Sequence, residues 1–359
     1  MAARDWHPNL RDRAWSCPAV PGEVLAFHRS LGGYQPTPLV DLEDVASRLG
    51  VGRAFAKDES SRLGLPAFKA LGASWAIHRA LSTGLGAGAG GAVTFVTATD
   101  GNHGRAVART ARLLGHRARV FVPDGVPAGA VAAIEAEGAP VTHVGGSYDD
   151  AVDAAAAFAR SHGAMLLQDT SWPGYEQVPA WIVEGYATLF AESDAQLAEL
   201  GAGRPDLVVV PAGVGSLAQA AVTHYRGGGD PWRTAIMTVE PTTAACVLAS
   251  LRADEAVTVP TQPTSMAGLN CGTPSSLAWP VLRAGLDAAV AVDDGEAADA
   301  APLLRARGVD AGPCGWASLA GALAALTGDG AAGRRAALRL RPDATVLLVV
   351  TEGAAANPG

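Results

Sequence analysis

The chain has 359 residues, 49% hydrophobic and 17% charged, enough for a sizeable core and for two domains or one large one. Its net charge of −8 and the lack of any basic stripe with interleaved aromatics argue against a nucleic-acid partner. No apolar run approaches the ~18 residues that a membrane-spanning helix needs, so no membrane partner is expected. The charged N-terminus, "MAARDWHPNLRDRAW", carries no apolar core of signal-peptide length, and a cytoplasmic location is the expectation. Cys17, Cys246, Cys271 and Cys314 are scattered, with no CxxC and no metal-ligand spacing, so no metal site is expected.

In chain order, short β-branched runs alternate with longer Ala/Leu-rich runs. "AVTFVTA" (92–98) predicts a strand and "GRAVARTARLLG" (104–115) a helix. "RARVFVP" (117–123) is strand-like, "AGAVAAIEAEG" (128–138) helical and "APVTHVG" (139–145) strand-like. "YDDAVDAAAAFARSHG" (148–163) then reads as a helix and "AMLLQD" (164–169) as a strand. Further on come the strand "DLVVVPA" (206–212), the helix "SLAQAAVTHYRG" (216–227) and the strand "AIMTVEP" (235–241). The helix "WASLAGALAAL" (316–326) and the strand "TVLLVVT" (345–351) close the series. This alternation implies an α/β protein of βαβ units, with parallel sheets and helices on both faces. Sites in such sheets lie beyond the carboxyl ends of the strands, so the residues after each strand are the ones to read for chemistry.

Lys69 lies in "LGLPAFKALGASWA" (63–76), between Phe68 and Ala70. Of 27 basic residues only Lys57 and Lys69 are lysines, so 25 are arginines. Arginine could snorkel from an apolar run equally well, but only lysine can deprotonate to a nucleophilic amine and form a Schiff base. In "TATDGNHGRAVA" (97–108), Asp100 and Asn102 sit in a polar turn between strand and helix, where they could face a ligand or simply cap the helix. Asp169 ends a strand in "LLQDTSWPGYEQVPAWIVEGYATL" (166–189), ahead of an aromatic loop and a helix, and is open to the same two readings. "PAGVGSLAQA" (211–220) runs from strand through Gly213, Val214, Gly215 and Ser216 into a helix. It suits a phosphate cradle or a tight, serine-capped connection, and it lacks both the Walker lysine and the GxGxxG spacing. "LLVVTEG" (347–353) ends a strand in Thr351, Glu352 and Gly353, where a hydroxyl could meet a ligand. A candidate Schiff-base lysine, a phosphate cradle and polar groups at strand ends together suit pyridoxal 5′-phosphate.

With those residues in view, the chain resembles the tryptophan-synthase-β-like, fold-type II pyridoxal-phosphate enzymes. Within them it is most similar to the diaminopropionate ammonia-lyases. The likeness rests on "YQPTPLVDL" (34–42), "AKDESSRLGLPAFKALGASWA" (56–76), "TATDGNHGRAVA", "QDTSWPGYEQVPAWIVEGY", "VEPTTAAC" (239–246), "MAGLNCGTPS" (266–275) and "TEG", in order from about residue 27 to 353. It implies two three-layer αβα domains with mostly parallel sheets. A large cofactor-binding domain would comprise residues 1–92 and 173–359, and a small mobile domain, 93–172, would close over an amino-acid substrate in a homodimer. It also implies that Lys69 bonds to the cofactor, that Asn102 meets its phenolic oxygen, that Gly213, Val214, Gly215 and Ser216 hold its phosphate, and that Thr351 faces its ring nitrogen. Asp100 and Asp169 would act as bases on opposite faces of 2,3-diaminopropionate, with pyruvate and ammonia as products. Elimination or β-replacement on another β-substituted amino acid is the alternative. Cys246 and Cys271 would approach the active-site mouth, where a disulfide or redox contact is possible. Trp316 stands in "DAGPCGWASL" (310–319) where the family leads one to expect a small residue, which would reshape the pocket near the cofactor.

Overall fold

The computed structural model describes residues 5–85, 91–99, 101–227 and 233–356. The first strands are β1 (Trp6–Pro8), β2 (Leu39–Asp41) and β3 (Arg53–Asp58). A second group comprises β4 (Thr94–Ala98), β5 (Arg117–Val122), β6 (Val141–His143) and β7 (Met165–Leu166). The rest are β8 (Leu207–Pro211), β9 (Ala235–Pro241), β10 (Ala288–Val292) and β11 (Thr345–Val350).

These strands make two sheets. The larger runs β1-β10-β9-β8-β11-β3-β2, and the smaller runs β6-β5-β4-β7. All pairings are parallel except those of the edge strands β1 and β2. Strands β8 to β11 are buried along their whole length. A parallel sheet covered on both faces has no solvent side, which is why these strands read as unbroken apolar runs. One core cluster combines apolar residues from helices beside both sheets, among them Leu71, Val107 and Ile182, and a second fills the other face of the larger sheet.

The helix Lys69–Ser82 packs against the helices Asn102–Leu113 and Gln177–Glu199, which places it between the two sheets. Its crossing with Gln177–Glu199 depends on two glycines. A Cβ on Gly72 would fall 2.5 Å from the Tyr186 ring and 2.9 Å from the Ile182 carbonyl oxygen. A Cβ on Gly185 would fall 2.6 Å from the Leu71 carbonyl oxygen. The two backbones meet there, and the helix bearing Lys69 cannot slide.

The sequence pattern anticipates β4 to β9 and β11 but not β3 or β10. β3 reads "RAFAKD", with charges where a buried strand should be apolar. It is central nonetheless, because Lys57 is fully buried within an ion-pair network. β10 reads "AAVAV", whose alanines suit a helix equally well. Among the described residues no helix is long and apolar enough to cross a membrane.

Candidate active site

Strands β3, β8 and β11 are parallel neighbours, so their carboxyl ends open on one side. The segment after β3 leads to Lys69, the turn after β8 is 213–216, and Thr351 follows β11 directly. From the smaller sheet, the turn after β4 leads to Asn102, and Asp169 follows β7.

Lys69 is the first residue of its helix and its side chain is 25% exposed. Nζ lies 2.6 Å from Asp169 Oδ2 and 5.4 Å from the centre of the Phe68 ring. The segment that delivers it is anchored by buried charge. Arg62 bonds to both Glu59 and Glu192, and Lys57 Nζ donates to Thr37 O, Glu192 Oε2 and Gln196 Oε1, each at 2.8 Å. Two cations thus face two carboxylates with no net charge left over. Three converging acceptors suit the three N–H groups of an ammonium, so the second lysine of this arginine-rich chain is kept for geometry.

Asp169 is 8% exposed. Burial disfavours its charged form, but His103 and the Lys69 ammonium outweigh that, and the carboxyl is held well below the usual range. His103 is fully enclosed behind it, with Nε2 2.8 Å from Leu167 O and Nδ1 3.8 Å from Asp169 Oδ2. Burial pushes the His103 pKa down, and the Asp169 carboxylate beside it pulls the other way. The aromatic loop beyond Asp169 is fixed by Tyr175, whose hydroxyl accepts from Gln168 N–H at 2.9 Å and donates to Leu166 O at 3.0 Å. The Tyr175 ring stacks on Trp172.

The glycine turn has the form of a cradle. Gly213 leaves room where a Cβ would fall 2.9 Å from Cys271 Sγ and 3.1 Å from Gly268 O. Gly215 holds φ +97° at the N-terminus of the helix Ser216–Arg226, and a Cβ there would fall 2.6 Å from Leu282. The first-turn N–H groups of that helix are oriented for an anion. Ser216 Oγ donates to Asp169 O at 3.3 Å, which ties the cradle to the Lys69 partner.

Asn102 opens the helix Asn102–Leu113, and its Nδ2 donates to Glu352 Oε2 at 2.7 Å. Thr351 is 4% exposed, and its hydroxyl is buried without a hydrogen-bond partner among the described residues. Buried hydroxyls are normally satisfied, so this one suits a ligand heteroatom. Asp100 lies outside the described residues. Cys246 and Cys271 both reach Gly213, Cys246 Sγ standing 3.6 Å from Gly213 O, and no disulfide bond joins them. Trp316 is packed against the core of the larger sheet and donates its indole N–H to Ala311 O at 2.6 Å.

An orphaned hydroxyl, a cradle too narrow for side chains and a partly exposed lysine together fit a phosphorylated aromatic aldehyde. The sequence pattern of the family described as pyridoxal-phosphate dependent enzyme matches residues 31–352. The chain belongs to this family. Its fold is that of the fold-type II members, and its cofactor is pyridoxal 5′-phosphate. A diaminopropionate ammonia-lyase from Salmonella typhimurium is 39% identical over 291 residues, 76% of this chain and 72% of that protein. The crystal structure of Escherichia coli diaminopropionate ammonia lyase in complex with an aminoacrylate-PLP azomethine reaction intermediate superposes with a TM-score of 0.90. It is 33% identical and is matched over 99% of this chain and 95% of its own. An L-threonine dehydratase from Mycobacterium tuberculosis is 30% identical over 65% of this chain and 53% of that protein.

His103 and Glu352 are the contacts that sequence reasoning does not single out. Both adjoin residues it does, Asn102 and Thr351, and adjacency is the only sequence signal they carry.

Proposed function

We propose that this chain is an ammonia-lyase that cleaves 2,3-diaminopropionate by α,β-elimination followed by hydrolysis, consuming one molecule of water and giving pyruvate and two molecules of ammonia. The observation that carries the reading is the Lys69–Asp169 pair, 2.6 Å apart and tied to the glycine turn through Ser216 Oγ, in a chain 39% identical to a diaminopropionate ammonia-lyase.

Pyridoxal phosphate, when bound, supplies the electron sink that makes the substrate α-proton acidic. The residues around it hold and move protons. Gly213, Val214, Gly215 and Ser216 are assigned to the phosphate, Asn102 to the phenolic oxygen and Thr351 to the ring nitrogen. A hydroxyl partner leaves that nitrogen largely unprotonated, where a carboxylate would charge it. Lys69 is assigned the covalent attachment and the return of a proton. Asp169 is a weak base while the Lys69 ammonium stands beside it. Once that charge is gone, one of the two pulls that hold the carboxyl low is removed and the same group becomes a stronger base. It can also hold a β-ammonium group, which a diamine offers and a hydroxy amino acid does not. Asp100 is assigned the opposite substrate face.

The proposal includes a cytoplasmic homodimer and a small domain of residues 93–172 that closes over the substrate. The smaller sheet, β4 to β7, falls within that span.

The test is a pyruvate and ammonia assay over β-substituted amino acids in both enantiomers. Turnover of 2,3-diaminopropionate above serine and threonine is expected. No pyruvate from either diaminopropionate enantiomer, with turnover of another substrate, overturns the reading. Elimination from a hydroxy amino acid is the second reading, favoured by the likeness to L-threonine dehydratase.

A further inference from the structure

Glu352 is a carboxylate only 3% exposed, and no role above uses it. Its Oε2 accepts from Asn102 Nδ2 at 2.7 Å. Its Oε1 accepts from the Cys314 backbone N–H at 3.2 Å, in the first turn of the helix Pro313–Leu326. The positive end of that helix favours a carboxylate. Glu352 also forms a backbone bridge with Ala67, while Phe68 N–H donates to Thr351 O at 3.2 Å and Gly353 N–H donates to Pro66 O at 2.9 Å. The segment 351–353 is therefore laid along the residues that deliver Lys69, with its one carboxylate turned to Asn102.

A carboxamide has a donor side and an acceptor side, and it can flip. An acceptor-only group against Nδ2 removes that freedom, because a flip would set Asn102 Oδ1 against the carboxylate. With one N–H engaged by Glu352, the other is held at a fixed angle as a donor. Only a carboxylate can do this and also receive Cys314 N–H. A glutamine that kept its oxygen on Cys314 N–H would turn its NH2 group toward Asn102, which would then flip to present Oδ1 and lose its donor orientation.

We propose that Glu352 is a positioning residue that locks Asn102 in its donor orientation toward the phenolic oxygen of the cofactor, and through Asn102 sets the ionisation of the bound cofactor. This rests on the reading that Asn102 meets that oxygen. Two adjacent residues then serve two sides of one ring: Thr351 directly, and Glu352 through Asn102.

A double-mutant cycle on the cofactor-loaded protein, without substrate, tests this. The four proteins are the parent, N102A, E352Q and N102A/E352Q. The readout is the pH midpoint of the visible absorption band, with thermal melting measured alongside. N102A and E352Q should each move the midpoint in the same direction, by at least about 0.5 pH unit, and the double variant should move it no further than N102A alone. A shift from E352Q that persists at full size in the N102A background shows independent action and overturns the proposal. An E352Q protein that melts earlier but keeps the parent midpoint, while N102A shifts, also overturns it, since Glu352 would then be structural only. A silent N102A removes the assignment of Asn102 and the proposal with it. If E352Q does not load cofactor, Glu352→Asp, charged but one methylene shorter, takes its place in the same cycle under the same criteria.

Discussion

Lys69 Nζ and Asp169 Oδ2 lie 2.6 Å apart, although 100 residues separate them in the chain. Lys69 starts a helix wedged between the two sheets, and Asp169 follows the last strand of the smaller one. The ion pair therefore links the segment after β3 to the segment after β7 at the point where the chemistry is assigned, and the ammonium helps to hold the carboxyl low. Replacing Lys69 with alanine should abolish the yellow, borohydride-bleachable absorption and lower turnover by at least about 10³-fold. It should also raise the Asp169 pKa, because burial then acts without the ammonium. Absorption spectra and a carboxyl titration by NMR check both parts. A K69A protein that stays yellow would refute the assignment.

The two aspartates should separate by substrate hand. Asp169→Asn and Asp100→Asn should each lose about 10²–10⁴-fold in turnover of one diaminopropionate enantiomer and much less of the other. Steady-state kinetics on the separate enantiomers decides it. Equal losses on both would remove the two-face assignment.

The cradle should fail when it gains a side chain. Gly215→Ala forces a Cβ toward Leu282 at a φ of +97° and should cost about 1 kcal/mol or more of stability. Gly213→Ala, whose Cβ would press on Cys271 and Gly268, should weaken cofactor binding more than it lowers the melting temperature. Cofactor titration followed by absorbance, set beside thermal melts, distinguishes the two. Unchanged cofactor affinity in both variants would show that the phosphate sits elsewhere.

The charge network beneath the lysine segment has a pH signature. Burial opposes ionisation of Glu192, yet Arg62 and Lys57 pull its pKa from 4.5 down to about 2. A carboxyl whose folded pKa is depressed adds stability above its unfolded pKa and loses it as pH falls through the folded one. The parent protein should thus lose melting temperature between about pH 5 and pH 2. Glu192→Gln should start about 3–5 kcal/mol less stable, because it strands buried cations, and should show a flatter acid dependence. A parallel acid profile in the two proteins would rule out Glu192 as the titrating group.

Much of this architecture is legible in the sequence, for a physical reason. Buried parallel strands must be apolar on both faces, so β8, β9 and β11 announce themselves, and a glycine turn between strand and helix marks the cradle. The scarcity of lysine points to Lys69. What the sequence hides is pairing at a distance. Nothing in "RAFAKD" says that Lys57 finds three acceptors inside the protein, so a central strand reads as a polar stretch. Nothing in "TEG" says that Glu352 reaches Asn102, 250 residues earlier. The cysteines illustrate the converse. Cys246 and Cys271, far apart in the sequence, both lie against Gly213, but they do so as separate thiols.

Lys57 and Lys69 are the only lysines, and the Lys57 side chain is completely buried whereas that of Lys69 is 25% exposed. A lysine-directed acylating probe therefore has one side chain to find. Labelling of that single amine should fall as the site fills, so occupancy can be followed by peptide mass spectrometry as protection of one residue, with no substrate and no turnover.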